Sequence, residues 1–223
     1  MTKDTHIQDH SDVCNKVFRV VEAFTKEIGV RSCTTHFEAV LNDGKYLKGE
    51  QLGQKPERFV EETLVFPLLR ALDHSLRPQP VQYAPRWRRG RGVPDFCLTT
   101  VPVSITKERD LRLFGEAKTP NKIEYARNDV KQYLEMDLDF HALTVLSDGF
   151  EWELWVRPEN GDPSLYTYTD LRPVFRDVKA VNLESESYRP HAVRQSIDEE
   201  VFDDFTAAGI EDIVRSEFGI ELT

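Results

Sequence analysis

Residues 93–100, VPDFCLTT, and residues 110–118, DLRLFGEAK, decide the fold. Both read as β segments, and the polar stretch around TKERD between them reads as the somewhat long loop of a hairpin. Side chains alternate between faces along a strand, so Glu116 and Lys118 project to one side while Ala117 points to the other. Asp95, on the neighbouring antiparallel strand, reaches that same side. Two carboxylates and one ammonium are therefore expected to converge at one edge of a sheet.

Upstream, Val13, Val17, Val20, Val21, Phe24 and Ile28 recur at helical spacing, which predicts a packing helix over 13–28 that stops at Gly29. Residues 41–56, LNDGKYLKGEQLGQKP, read as a loop or a small hairpin around Asp43-Gly44. A second helix is expected from Glu57 through ERFVEETLVFPLLRAL, kinked or broken at Pro67. Downstream, KIEYARNDVKQYLEM predicts a helix over 122–136. ALTVLSDGFEWELWV then predicts two strands about an Asp148-Gly149 turn, with Trp152 and Trp155 on opposite faces. SLYTYTD suggests a further strand, and residues 198–218 one or two late helices. This order implies an α+β fold, a mixed central β-sheet flanked by helices. The expected organisation is a helical extension over 1–50, a core over 51–175 and an acidic helical tail over 176–223.

The length of 223 residues suits one domain able to bury a core without staples. Three cysteines, Cys14, Cys33 and Cys97, form no CxxC pair, and no apolar run approaches a membrane span, so a soluble cytoplasmic protein is expected. His6, His10 and Cys14 share helical spacing but lie in a polar terminal segment without a fourth zinc ligand. No GxxxxGK[ST] is present, which argues against a nucleotide cofactor and an ATP-driven motor.

A net charge of −10 argues against nucleic acid as a partner, because phosphate neutralisation by Lys and Arg supplies most of such affinity. The distribution weakens that objection. Residues 184–223 hold 11 acids and 3 bases, whereas residues 1–183 hold 28 and 26. Within that nearly neutral body, Arg86, Arg88, Arg89 and Arg91 cluster with Trp87 immediately before Asp95, which points to phosphate contact.

Buried carboxylates are costly unless paired or bound to a metal, and carboxylate oxygens with retained waters are the ligands magnesium prefers. Asp95 and Glu116 are the candidate ligands for Mg²⁺ or Mn²⁺. Lys118 is the candidate group that orients or helps deprotonate a nucleophilic water and steadies developing charge. That set suits phosphodiester hydrolysis.

Pro94-Asp95 followed by Glu116-Ala117-Lys118 resembles the PD-(D/E)xK nuclease superfamily. ERFVEETLVFPLLRAL is similar to the opening helix of the nuclease domain of type I restriction enzyme R subunits, and VLSDGFEWELW to the strand pair after its active-site helix. The resemblance covers roughly residues 57–157. It implies a restriction-endonuclease-like fold and a metal-dependent DNA endonuclease of restriction, defence or DNA processing, working with partner subunits or as a homodimer. Two alternatives are a catalytically inactive DNA-binding or assembly module of the same fold, and a nuclease acting on RNA or branched DNA. By the same analogy Glu57 is an additional active-site acid, with Glu61, one turn later, its competitor. The family's Gln-x-x-x-Tyr pair is matched at Tyr133, a candidate nucleic-acid contact, but Asp129 stands in the glutamine's place and Gln132 is out of register.

Overall fold

A computed structural model describes residues 4–42, 44, 47–79, 93–136, 139–183 and 199–222. Helix α1 (Asp4–Val30) is followed by α2 (Thr34–Leu41), α3 (Gly49–Leu52) and α4 (Pro56–Val60), a π-helical turn (Glu61–Val65) and α5 (Phe66–Ala71). Strands β1 (Leu76–Pro78) and β2 (Phe96–Leu98), helix α6 (Val103–Glu108) and strand β3 (Leu111–Ala117) come next. Helix α7 (Ile123–Met136) leads to β4 (His141–Ser147), β5 (Glu151–Arg157) and β6 (Ser164–Asp170). Helices α8 (Arg172–Leu183), α9 (Glu199–Asp204) and α10 (Ala207–Phe218) complete the described chain. The expected α+β class is thus observed, as an open sheet in the order β1-β2-β3-β4-β5-β6. Every neighbouring pair is antiparallel except β3 and β4, which run parallel. A parallel pair needs a crossover, and α7 is that crossover. It lies over one sheet face.

Alternation along the strands assigns the two faces. Leu113, Val145, Trp152 and Leu154 join the larger core beneath the sheet, built with α1, α2, α5, α8, α9 and α10. Cys97, Phe114, Ala142 and Leu146 face α7, meeting Ile123, Ala126, Val130, Tyr133 and Leu134. Trp152 and Trp155 do fall on opposite faces. Glu116 and Lys118 follow the parity of Phe114, which places them on the α7 side.

Four expectations are revised. The first helix starts at Asp4 rather than 13, and Gly29 does not end it; the chain turns at Ser32, whose φ is +55°, with the Cys33 N–H donating to the Ile28 carbonyl. That six-to-one bond is a Schellman-type closure, normally taken by glycine. The loop over 41–56 contains the short helix α3, while Asp43 lies outside the described residues. The expected disturbance at Pro67 appears one turn earlier, as the π turn in which the Phe66 N–H donates to the Glu61 carbonyl. Proline has no N–H to return to Thr63, so the ladder is already interrupted there, and widening it by one residue accommodates the gap. The polar connection between β2 and β3 also carries a helix, α6.

Residues of α1 and α2 and of α9 and α10 belong to one core beneath the sheet. Phe24 of α1, Phe37 of α2, Phe59 of α4, Phe150 of the β4–β5 turn and Phe175 of α8 form one cluster, with ring centroids 5.1 to 6.0 Å apart. All five are buried. Burying each such side chain contributes about 1.5–3 kcal/mol, which binds α1, α2 and α8 to the middle of the chain. Among the described residues no helix is long and apolar enough to cross a membrane.

Candidate metal centre

Four separate segments supply the centre. Asp95 lies one residue ahead of β2, where β2 pairs with β3 through Phe96 and Gly115. Gly115 is required there: a Cβ would stand 2.1 Å from Phe96 Cζ and 2.5 Å from the Val145 carbonyl oxygen. Beyond Phe96 the ladder passes to a side chain. Asp95 Oδ2 accepts the Ala117 N–H at 2.8 Å, and the Asp95 N–H lies 3.4 Å from Glu116 Oε2. The two expected acids are thereby locked side by side.

Lys118 Nζ is 2.6 Å from Glu116 Oε1, 3.0 Å from Asp129 Oδ2 and 4.0 Å from Asp95 Oδ2. Its own backbone is held by an N–H bond of 2.9 Å to the Ser147 carbonyl at the end of β4. Tyr133, one turn after Asp129 on α7, brings its hydroxyl to 3.4 Å from Glu116 Oε2. The ring of Tyr133, the candidate nucleic-acid contact, is buried and packs edge-on against Phe114 at 6.0 Å.

The acidic helix completes the ring from the other side. Glu57 in the first turn of α4, Glu61 at the start of the π turn and Asp95 each offer an oxygen within 4.8 Å of the others. Glu57 and Glu61, weighed as competitors from sequence, are thus brought to the centre together. Their i, i+4 spacing is the signal that both share a helix face. Arg58 holds Glu61 at 3.1 Å and Glu62 at 2.7 Å. The helix is seated by the hairpin turn: Gly149, at φ +90°, leaves no room for a Cβ, which would meet Val60 Cγ1 at 2.8 Å and Leu64 Cδ2 at 2.9 Å.

Electrostatics follow from this crowding. Burial and then repulsion from Asp95 push the Glu116 carboxyl up to about 8. Burial is also the leading cause of the upward shifts of Glu57, Glu61 and Asp95. For Lys118 burial opposes the charge, but Glu116, Asp95 and Asp129 outweigh it and hold the ammonium above the ordinary lysine range. Lys118 is therefore a cation at neutral pH.

The donor set fits a hard divalent cation. Magnesium binds oxygens at about 2.0–2.1 Å, so opposed ligands stand roughly 4 Å apart, and small side-chain movements close the 4.8 Å triangle. Acids raised by burial and mutual repulsion gain most from a compensating cation. Glu116 is paired with Lys118 and sits beside the triangle of Glu57, Glu61 and Asp95.

Arg86, Arg88, Arg89 and Arg91 lie outside the described residues. The Lys118–Asp129 pair had no counterpart in the sequence reading, although Asp129 drew notice as a departure from Gln-x-x-x-Tyr. In comparisons with family models, curated proteins and solved structures, the chain matches none of them.

Proposed function

We propose that this chain is a metal-dependent nuclease of the PD-(D/E)xK kind, with a restriction-endonuclease-like core, hydrolysing DNA phosphodiester bonds with Mg²⁺ or Mn²⁺. The observation that carries this reading is the convergence of Asp95, Glu116 and Lys118 on the α7 side of the β2–β3 edge, with Glu57 and Glu61 closing the ring. Asp95, Glu116 and the two helix acids would hold the ion. Bound there, it supplies a neutralised scissile phosphate and a water of lowered pKa. The chain's own groups do the rest. Lys118, kept charged, donates to the pentacovalent oxygens, and Tyr133 and the Ala117 N–H fix the two carboxylates. Restriction of foreign DNA, defence or DNA processing is the setting that the sequence resemblance suggests, with partner subunits or a second copy needed to cut both strands.

The test is cleavage of supercoiled plasmid by the purified chain with Mg²⁺ or Mn²⁺. Nicked or linear product that disappears with EDTA and with Asp95→Ala supports the reading. Undiminished cleavage by Asp95→Ala, or no metal-dependent cleavage of DNA, RNA or branched substrates, overturns it.

A further inference from the structure

Lys118 has three acidic neighbours, of which Asp95 at 4.0 Å and Glu116 at 2.6 Å belong to the proposed metal set and Asp129 at 3.0 Å does not. Glu116 is buried, with a side chain 4% exposed, and belongs to the sheet; Asp129 is 41% exposed and belongs to α7. The Lys118 side chain between them is only 14% exposed. Any divalent cation that recruits Glu116 must draw Oε1 away from Lys118. If Glu116 and Asp95, both recruited by the cation, were its only partners, that exchange would leave a largely buried lysine without a counter-charge, which is strongly unfavourable.

We propose that Asp129 is the standing counter-ion of Lys118, which lets Glu116 exchange the ammonium for a divalent cation while Lys118 stays paired and in place. The inference rests on the metal-site reading above. Its geometry is independent of that reading: the Asp129 contact of 3.0 Å exists alongside the Glu116 contact of 2.6 Å, so Lys118 needs no movement to keep it. Asp129 sits on a regular helix, one turn before Tyr133, whose hydroxyl marks the other oxygen of Glu116. α7 thus presents both a fixed donor to the acid and a fixed acceptor to its lysine. A glutamine at 129 could accept a hydrogen bond from Lys118 but would not neutralise it. Asp129 is accordingly a positioning residue that acts through Lys118.

The measurement is a double-mutant cycle of Mn²⁺ binding by isothermal titration calorimetry, on the full chain without nucleic acid. Its corners are wild type, Asp129→Ala, Lys118→Met and the double variant. We expect Asp129→Ala to weaken Mn²⁺ binding about tenfold, Asp129→Asn to weaken it less, and Lys118→Met to bind at least as tightly as wild type. In the Lys118→Met background, Asp129→Ala should change affinity by less than about twofold, because no ammonium remains to be paired. An equal loss in both backgrounds means that Asp129 attracts or ligates the cation directly, and overturns the inference while leaving the metal centre standing. An unchanged affinity for Asp129→Ala overturns it too. A wild-type chain that binds no Mn²⁺ removes both this inference and the proposed nuclease centre. Circular dichroism of each variant controls for folding, and Asp129→Asn, which preserves size, keeps the cycle interpretable should the alanine variant be poorly folded.

Discussion

The ring of Phe96 lies directly against Gly115, so closely that no side chain fits at 115. That contact sets the spacing of β2 on β3 and hence the position of Asp95 beside Glu116. Gly115→Ala should cost about 1–3 kcal/mol in urea denaturation by forcing the ring or the strand aside. It should also reduce metal affinity, since Asp95 moves with β2. A variant with wild-type stability would show that the strand spacing is not set here.

Glu116 gives the metal-free protein a definite response to pH. Its carboxyl is raised in the fold to about 8 from an ordinary value of 4.5. Between those values the folded state holds a proton that the unfolded state has released, so stability falls as pH rises from about 4.5 through 8. Glu116→Gln removes this penalty. At pH 8.5, without metal, the variant should melt several degrees above wild type, and the gap should close near pH 5. A constant gap across this range contradicts the assignment.

The Asp148-Gly149 turn is the floor on which the acidic helix rests. Gly149→Ala combines strain at φ +90° with a Cβ 2.8 Å from Val60, and should destabilise by about 2–4 kcal/mol. Glu57 and Glu61 ride on that helix. Metal-induced stabilisation, read as the rise in melting temperature on adding Mn²⁺, should therefore shrink in the same variant.

Phe24 of α1 and Phe175 of α8, about 150 residues apart in sequence, meet at 5.6 Å. Phe24→Ala and Phe175→Ala should each cost about 3–5 kcal/mol. Fluorescence and circular dichroism should report one coincident unfolding transition. Separate transitions for the terminal helices and the sheet would show that they do not share a cooperative unit.

Glu153, nearly fully buried on β5, is met by Arg127 of α7 and by the indole N–H of Trp155 at 2.8 Å. Arg127→Ala leaves that carboxylate underpaired and should cost about 1–3 kcal/mol, discounted because the arginine is 42% exposed. Adding Glu153→Leu should recover most of the loss. Equal stability of the Arg127→Ala single variant and wild type would show the pair to be ornamental.

Much of this architecture was legible from period alone. β6 matches SLYTYTD residue for residue, and α7 and the β4–β5 hairpin fall within a residue or two of their expected bounds, because alternation and an Asp-Gly turn are local signals. Helix α8 was missed although its cues are present: Pro173 in the first turn, Val174, Phe175 and Val178 on one face, and Asp170 accepting the Arg172 N–H. The short strand β1 escaped because its three residues, Leu76, Arg77 and Pro78, carry no period of their own and pair only through β2. At the centre, the strand parity of Glu116 and Lys118 was readable; the joint approach of Glu57 and Glu61 depended on the π turn, and the Lys118–Asp129 pair on how α7 crosses the sheet. Those are tertiary facts.

The backbone bond from Lys118 to Ser147 has a bearing on biosynthesis. A ribosome delivers Glu57, Asp95 and Glu116 well before the end of β4 exists, so the growing chain carries every acid while its lysine lacks the anchor that fixes it. Lys118 therefore gains its backbone anchor only after translation has passed the β4 terminus, so the four segments that meet at the centre come together late in synthesis.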